Sequence, residues 1–268
     1  AGSSVGAGHF VRQDEQPLMD LLDSDVGSGA VFVLNHHNQN HFRDAVELLA
    51  AGYQVILEKP YALSAPEIAI LREYIRQQPC RLALATYYLS EKLWPFCNLI
   101  TGMAAGISIN DLCSRLGRPM AVFVDLLEGQ GLAGRLEHRA AQFADLRTGC
   151  GMILDLGVHA ISSLLCLPPA EGATRSYRVG SVQAAVCTAF DAFITMHHSV
   201  PPHHIPETYA ELHMEASDGV IARVRIGKYV FANMNKRSLT IIADKGVLYY
   251  DIASSVSWII DSQGEAQA

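Results

Sequence analysis

The sequence has no cysteine motif, no excess of basic residues and no long apolar run. Its six cysteines are scattered without a CxxC pair, which argues against a disulfide framework or a zinc site and predicts reduced thiols in the core. The formal charge of -7 argues against a nucleic acid or an acidic membrane as partner, since either would require a basic face. No apolar run approaches the ~18 residues of a membrane span, and no export leader is recognisable. We therefore expect a cytoplasmic protein.

Between residues 30 and 86, short apolar runs alternate with helical patterns of hydrophobic residues. Gly52 is a C-terminal signal for the first helix, and Ser64 with Glu67 forms a capping box that begins the second. Strands that alternate with helices predict parallel βαβ units. The apolar runs predict strands at residues 30–34, 54–57 and 81–86.

From Gly180 onward the hydrophobic pattern changes to period two, which is typical of antiparallel strands with one buried face. Asp218-Gly219 predicts a hairpin turn between two of these strands. The two patterns together predict an α/β fold. We expect a Rossmann-like parallel-sheet domain at residues 1–86, followed by an α+β domain at residues 87–268 with a large antiparallel sheet. The strands predicted after residue 86 are 120–127, 209–216, 220–226, 238–243, 247–251 and 256–261.

Lys59 lies directly after the second predicted strand, and Pro60 favours an extended backbone at the lysine. Open α/β sheets bind their ligands at the carboxyl ends of parallel strands. An ammonium group there would stabilise an alkoxide or polarise a carbonyl. The alternative is a surface lysine at a strand end, which is the more frequent meaning of an isolated Glu-Lys-Pro.

Asp155 and His159 are four residues apart on a predicted helix that begins near Gly151 and is otherwise apolar. Burying a carboxylate and an imidazole without partners costs several kcal/mol, so the pair needs a specific environment. Histidine titrates near neutrality and can accept and return a proton at working pH. A hydrogen-bonded pair with a purely structural role is an equally good interpretation of this helix alone.

Two further motifs carry little. The polar stretch from His36 to His41 contains three histidines, but no carboxylate or cysteine lies among them, so we predict no metal site. The run Gly6-Ala7-Gly8 lacks the third small residue of a phosphate-binding loop, since Val11 stands there.

These motifs resemble, in order, those of the Gfo/Idh/MocA family of nicotinamide-dependent oxidoreductases, which act mostly on sugars and cyclitols. That family follows a strand with a TPNxxH-like turn, then a helix ending in Ala-Gly, then a strand ending in Glu-Lys-Pro. The corresponding stretches here are residues 36–41, 51–52 and 58–60. The family's GGGxxxDxGxH phrase matches residues 149–159. The resemblance covers about Pro17 to Gly264.

The resemblance implies an NAD- or NADP-dependent dehydrogenase of a sugar-like alcohol, with Lys59, Asp155 and His159 as the catalytic group. His159 would be the general base, while Lys59 and Asp155 would hold the substrate oxygen. The antiparallel sheet would form a homodimer or homotetramer. On the cofactor side the resemblance implies Asn38, His41, Glu58 and Lys59. His36 and His37 would lie near the adenosine or ribose, and Tyr88 beside the nicotinamide. The candidate substrate-binding residues are Lys59, Tyr88, Arg139, Asp155 and His159.

The sequence departs from the family at its start, where a glycine-rich βαβ unit is expected before Pro17. We expect that the sequence is an incomplete record of a longer protein, because removing two strands from a parallel sheet exposes apolar edges. The alternative is a protein without the pyrophosphate-binding half. Two other functions therefore stay open: a family member without net redox turnover (an NAD-using glycosidase or a sugar or dinucleotide sensor), and an oligomeric scaffold.

Overall fold

A computed structural model describes residues 29–85, 116–128, 151–165, 175–186, 201–228, 236–254, 256–262 and 264–267. Tyr88 and Arg139 lie outside these ranges, as does the predicted domain boundary between residues 86 and 87, which stays a prediction. The described strands form two sheets, one of three strands and one of eight.

The three-stranded sheet is parallel, in the order β1-β2-β3. Helices connect successive strands, as predicted for βαβ units, and pack on the sheet through a shared apolar core that includes Leu48, Leu57 and Leu71. The predicted strands are confirmed, with the third shorter than expected. The elements are β1 (Val31–Leu34), α1 (Asn38–Ala50), β2 (Gln54–Leu57), α2 (Ala65–Gln77) and β3 (Leu82–Leu84).

The helix boundaries follow the sequence signals. The Glu67 backbone N–H donates to Ser64 Oγ at 3.4 Å, and the Ser64 N–H donates to Glu67 Oε2 at 3.1 Å, so the predicted capping box is present. Gly52 follows α1 with a φ of +90°, a conformation that glycine adopts without a steric penalty. These local signals fix where α1 ends and where α2 begins.

The eight-stranded sheet has the order β11-β10-β9-β8-β4-β7-β6-β5. All neighbours are antiparallel except β4 and β7, which pair in parallel, so the predicted sheet is confirmed as mostly antiparallel. Two strands, β5 and the short, polar β11, were not predicted. The strands are β4 (Pro119–Glu128), β5 (Tyr177–Ala185), β6 (Tyr209–Ala216), β7 (Ile221–Lys228), β8 (Lys236–Ala243), β9 (Gly246–Asp251), β10 (Val256–Asp261) and β11 (Gly264–Gln267).

Two short helices, α3 (Met152–Asp155) and α4 (Gly157–Leu165), cover one face of this sheet. The prediction of one continuous helix was wrong, because the helix is interrupted at Leu156. Helical hydrogen bonding still spans the break, since the Ala160 N–H donates to the Leu156 carbonyl at 3.0 Å. The apolar face of the helices packs on β4, β6 and β7 through Met152, Leu156, Ala160, Leu164, Val124, Leu126, Leu212, Val224 and Ile226.

The structure also bears on the cysteines and on membrane-spanning helices. Cys80 is a free thiol, as expected, but it is exposed and not in the core. No helix in the described ranges is long and apolar enough to cross a bilayer.

Gly246, the first residue of β9, lies close to the backbone of β10. A Cβ at this position would lie 2.5 Å from the Ile260 carbonyl oxygen and 3.0 Å from Leu116 Cδ2. We therefore expect Gly246→Ala to lower the free energy of unfolding by about 1–3 kcal/mol in urea denaturation, because the strands must separate to admit the methyl group.

Gly180→Ala in β5 is the matched control, since its nearest neighbour, the His213 carbonyl oxygen, is at an ordinary 3.5 Å. Equal unfolding midpoints for the two variants would contradict the close approach of β9 and β10.

Candidate functional site

Lys59 and Asp155 meet between the two sheets. Lys59 follows β2 in the parallel sheet, and Asp155 ends α3 on the large sheet. The Lys59 ammonium donates to Asp155 Oδ1, and each side chain is only 15% exposed. The two residues are 96 positions apart in sequence, so the fold creates the contact. The two strongest sequence motifs therefore form one site.

Lys228, the last residue of β7, is a third member of this site and was not predicted. Its ammonium donates to Asp155 Oδ2, so both oxygens of the carboxylate are held by lysines. Lys228 Nζ also lies 3.6 Å from Glu128 Oε2, and Arg237 donates to Glu128 Oε1 at 2.7 Å. Arg237 of β8, Glu128 of β4 and Lys228 of β7 thus form a chain of ion pairs that ends at Asp155.

Gly151 and Glu207 set the start of α3. Gly151 has a φ of +115°, and a Cβ there would lie 2.7 Å from Glu207 Oε1. The same oxygen accepts a hydrogen bond of 2.8 Å from the Ile153 backbone N–H in the first turn. The glycine lets the carboxylate approach the free N–H groups of the helix, where negative charge is stabilising. Glu207 was not predicted from the sequence, since it lies 54 positions from its partner Ile153.

The two lysines keep Asp155 ionised. Burial alone would raise the pKa of its carboxyl group, but the charges of Lys228 and Lys59 and their hydrogen bonds together hold that pKa well below its ordinary value. Asp155 is therefore an acceptor and an anchor for ammonium groups at every working pH. It is not a proton donor.

His159 lies close enough to the two lysines and Asp155 for their charges to act on its imidazole. The side chain lies in α4 and is 3% exposed. Burial lowers its pKa to about 4, the positive charges of Lys59 and Lys228 lower it as well, and the charge of Asp155 opposes them. The imidazole is consequently neutral near pH 7, which is the state that a general base requires.

Glu58 lies beside Lys59 and is partly buried. Burial raises the pKa of its carboxyl group, and the neighbouring Lys59 charge offsets this only in part. Tyr61 lies on the same loop, where burial and the charge of Glu58 raise the pKa of its phenol to about 12. Tyr61 donates to the Ala85 carbonyl at 3.3 Å, so it acts as a neutral hydrogen-bond donor.

The histidine-rich segment after β1, which includes the start of α1, is hydrogen-bonded to the loop that carries Lys59. His41 is 1% exposed, and its Nδ1 donates to the carbonyl oxygen of Pro60 at 2.9 Å across the loop that carries the cis Lys59-Pro60 bond. Its ring stacks on His36 at 5.1 Å between centroids, and His36 Nε2 lies 2.6 Å from Asp44 Oδ2. His41 thus links the first two strand ends.

Polar side chains gather at the carboxyl ends of β1 and β2, where open α/β sheets bind ligands and a cofactor could be held. His37 and Asn38 stand at the start of α1, after β1, and Glu58 and Lys59 follow β2. His36 Nδ1 is buried without a hydrogen-bond partner in the described structure. Within those same ranges, no three metal-ligating side chains are grouped to hold an ion.

Solved structures share this fold. An inositol dehydrogenase homologue from Azotobacter vinelandii, in complex with NAD+, is 17% identical with a TM-score of 0.66, and the match covers 89% of this chain and 56% of that protein. An NAD-binding oxidoreductase from Klebsiella pneumoniae is 15% identical with a TM-score of 0.64, and the match covers 89% of this chain and 59% of that protein. UDP-N-acetylglucosamine 3-dehydrogenase from Acidithiobacillus ferrooxidans is 15% identical with a TM-score of 0.60, and the match covers 94% of this chain and 66% of that protein.

The chain spans about 56–66% of the lengths of these three proteins. No family model and no curated protein matches the sequence. At this level of identity the similarity establishes a fold shared with NAD-binding oxidoreductases.

The lowered pKa of His159 makes stability depend on pH. The unfolded chain protonates this imidazole near the ordinary value of about 6.5, and the folded protein does so only near 4, so the unfolded state binds more protons between these values. The free energy of unfolding therefore rises with pH through this window. Acidification from pH 7 to pH 4 therefore lowers the free energy of unfolding by about 3 kcal/mol through His159.

We expect His159→Gln to lose this part of the pH dependence in urea unfolding between pH 4 and pH 7. His213→Gln is the control, because His213 is 46% exposed on the large sheet. An unchanged pH dependence in His159→Gln would mean that the buried imidazole is not held neutral.

Proposed function

We propose that this protein is an NAD- or NADP-dependent dehydrogenase that oxidises a secondary alcohol of a sugar- or cyclitol-like substrate. The observation that carries the proposal is the neutral, buried His159 beside the Lys59–Asp155 ion pair, at the carboxyl end of a parallel strand. The order of the motifs supports membership of the Gfo/Idh/MocA family.

His159 acts as the general base. Oxidation of an alcohol to a ketone removes a proton from oxygen and a hydride, with two electrons, from carbon. The neutral imidazole takes the proton and later returns it to water. The bound nicotinamide supplies the acceptor for the hydride. The low pKa of His159 favours release of the proton once the ketone has formed.

Lys59 stabilises the substrate oxygen as it loses its proton. An ammonium in a site shielded from water stabilises a developing alkoxide more strongly than one in bulk solvent. Asp155 fixes the direction of this ammonium through its Oδ1 atom. Among the candidates outside the described ranges, Tyr88 and Arg139 remain proposed as substrate-binding residues, and Tyr88 also as a neighbour of the nicotinamide.

The cofactor side is proposed at His36, His37, Asn38, His41 and Glu58. The two segments that carry them are joined by the hydrogen bond from His41 to the Pro60 carbonyl, which links the ends of β1 and β2. Segments held by such a bond lose less entropy than free loops when a dinucleotide binds against them. The comparisons support NAD as one cofactor and polyols or nucleotide sugars as substrates, since NAD+, inositol and UDP-N-acetylglucosamine occur in the names of the similar proteins.

We also propose a homodimer or homotetramer through the face of the large sheet that α3 and α4 leave uncovered. Ile221 and Ile260 point to that face and are 58% and 50% exposed. Tyr249 and Trp258 lie beside them with ring centroids 5.5 Å apart. A second copy would remove these apolar groups from water. A cytoplasmic site of action fits a reaction that uses the cellular NAD(P) pool.

The proposal is tested by cofactor reduction in the presence of myo-inositol, other polyols and UDP-N-acetylglucosamine. We expect the wild-type protein to reduce NAD or NADP with at least one of these alcohols. His159→Ala should lower kcat by about a hundredfold to ten-thousandfold, because no group remains to accept the hydroxyl proton. His213→Ala, on the opposite face of the sheet, should leave kcat unchanged.

Turnover by His159→Ala at the wild-type rate would overturn the role of the imidazole. A folded wild-type protein that reduces neither cofactor with any of these alcohols would contradict the dehydrogenase assignment.

A further inference from the structure

We propose that Lys228 is a positioning residue of this site, which holds Asp155 from the large sheet so that Lys59 is presented to the substrate. This inference rests on the proposed function, because it concerns the same reaction. Lys228 donates to Asp155 Oδ2, while Lys59 donates to Oδ1. A carboxylate held at both oxygens has one orientation, and that orientation determines where the Lys59 ammonium lies.

Position in the sheet explains why Lys228 can do this. In the parallel pairing of β4 and β7, Glu128 and Lys228 lie side by side at the strand ends. Along β7, Lys228 follows Val224 and Ile226 at period two, and both of these are buried in the core under α3 and α4. The Lys228 side chain therefore leaves the sheet on the helix side, toward Asp155.

The carboxylate of Glu128 is a second ionic partner of Lys228. Glu128 Oε2 lies 3.6 Å from Lys228 Nζ, and Arg237 binds the other oxygen of Glu128 at 2.7 Å. Lys228 is 16% exposed, so these charges act with little screening by water. Glu128 and Asp155 together give the Lys228 ammonium two carboxylate partners, which restricts its movement.

Lys228 also acts on the base. The charged groups that influence His159 are Lys59, Asp155 and Lys228, and both lysines disfavour the imidazolium. Removal of Lys228 would leave one ammonium on Asp155 and would ease protonation of His159. A lysine with a purely structural role would change the stability of the protein without moving the titration of His159. Experiment can therefore separate a structural role of Lys228 from a positioning role.

The test compares Lys228→Met with Lys236→Met. Lys236 is a matched control because it pairs with a buried carboxylate of the same sheet, Asp125 Oδ2 at 2.6 Å, on the opposite face. We expect Lys228→Met to lower kcat by up to about a hundredfold through loss of alignment, with a much smaller change in KM, and Lys228→Arg to recover part of kcat. The acid limb of the kcat/KM profile should move to higher pH in Lys228→Met only.

The titration of His159 provides a readout that needs no activity. Its NMR signal is identified by its absence in His159→Gln, and it should titrate at higher pH in Lys228→Met than in the wild type or in Lys236→Met. Lys228→Gln, which removes the charge and keeps an N–H donor on a shorter side chain, is used where the methionine variant does not fold.

The outcomes separate this inference from the proposed function. A wild-type protein that reduces cofactor, together with a Lys228→Met variant whose kcat and His159 titration match those of Lys236→Met, overturns the role of Lys228 and leaves the dehydrogenase intact. A wild-type protein without turnover contradicts the dehydrogenase. In that case a raised His159 titration in Lys228→Met supports the positioning role, and an unchanged titration overturns it.

Discussion

The Asp155 carboxylate, held by one lysine from each sheet, is the interaction on which the rest of the site depends. Lys59 comes from the end of β2 and Lys228 from the end of β7, so the carboxylate joins the parallel sheet to the large one. Removing a buried carboxylate that carries two ammonium groups would leave two desolvated positive charges, a costly arrangement. Burial keeps the His159 imidazole neutral, and the same two charges lower its pKa further, so the electrostatics of this histidine depend on the contact between the sheets.

Much of the fold follows from local sequence signals. The apolar run before His36 and the capping box at Ser64 predicted the βαβ units. The burial on both faces that a continuous apolar run implies is not found for β1, since Val31 and Val33 are 50% and 67% exposed. Period two with the Gly219 turn predicted the strands β6 and β7. The parallel pairing of β4 with β7 was not predictable, since alternation reports which face a strand buries and contains no information about its neighbours.

The site was predictable only in part. Lys59, Asp155 and His159 stand in short motifs, and the structure describes the first two in contact. Lys228 and Glu207 were missed because their partners lie 73 and 54 positions away, and no motif surrounds either residue. For Lys228 a weak signal existed: alternation with Ile226 places it on the buried face, where an isolated lysine requires a carboxylate partner.

A fluorescence titration of the full chain with NADH and with NADPH is the decisive experiment, because the proposed catalytic roles assume that a nicotinamide binds beside Lys59 and His159. We predict saturable binding of at least one of the two dinucleotides, weakened by substitution of His36 in the loop after β1 or of Asn38 at the start of α1. A folded protein that binds neither dinucleotide would contradict it, and the ion pairs around Asp155 would then be structural.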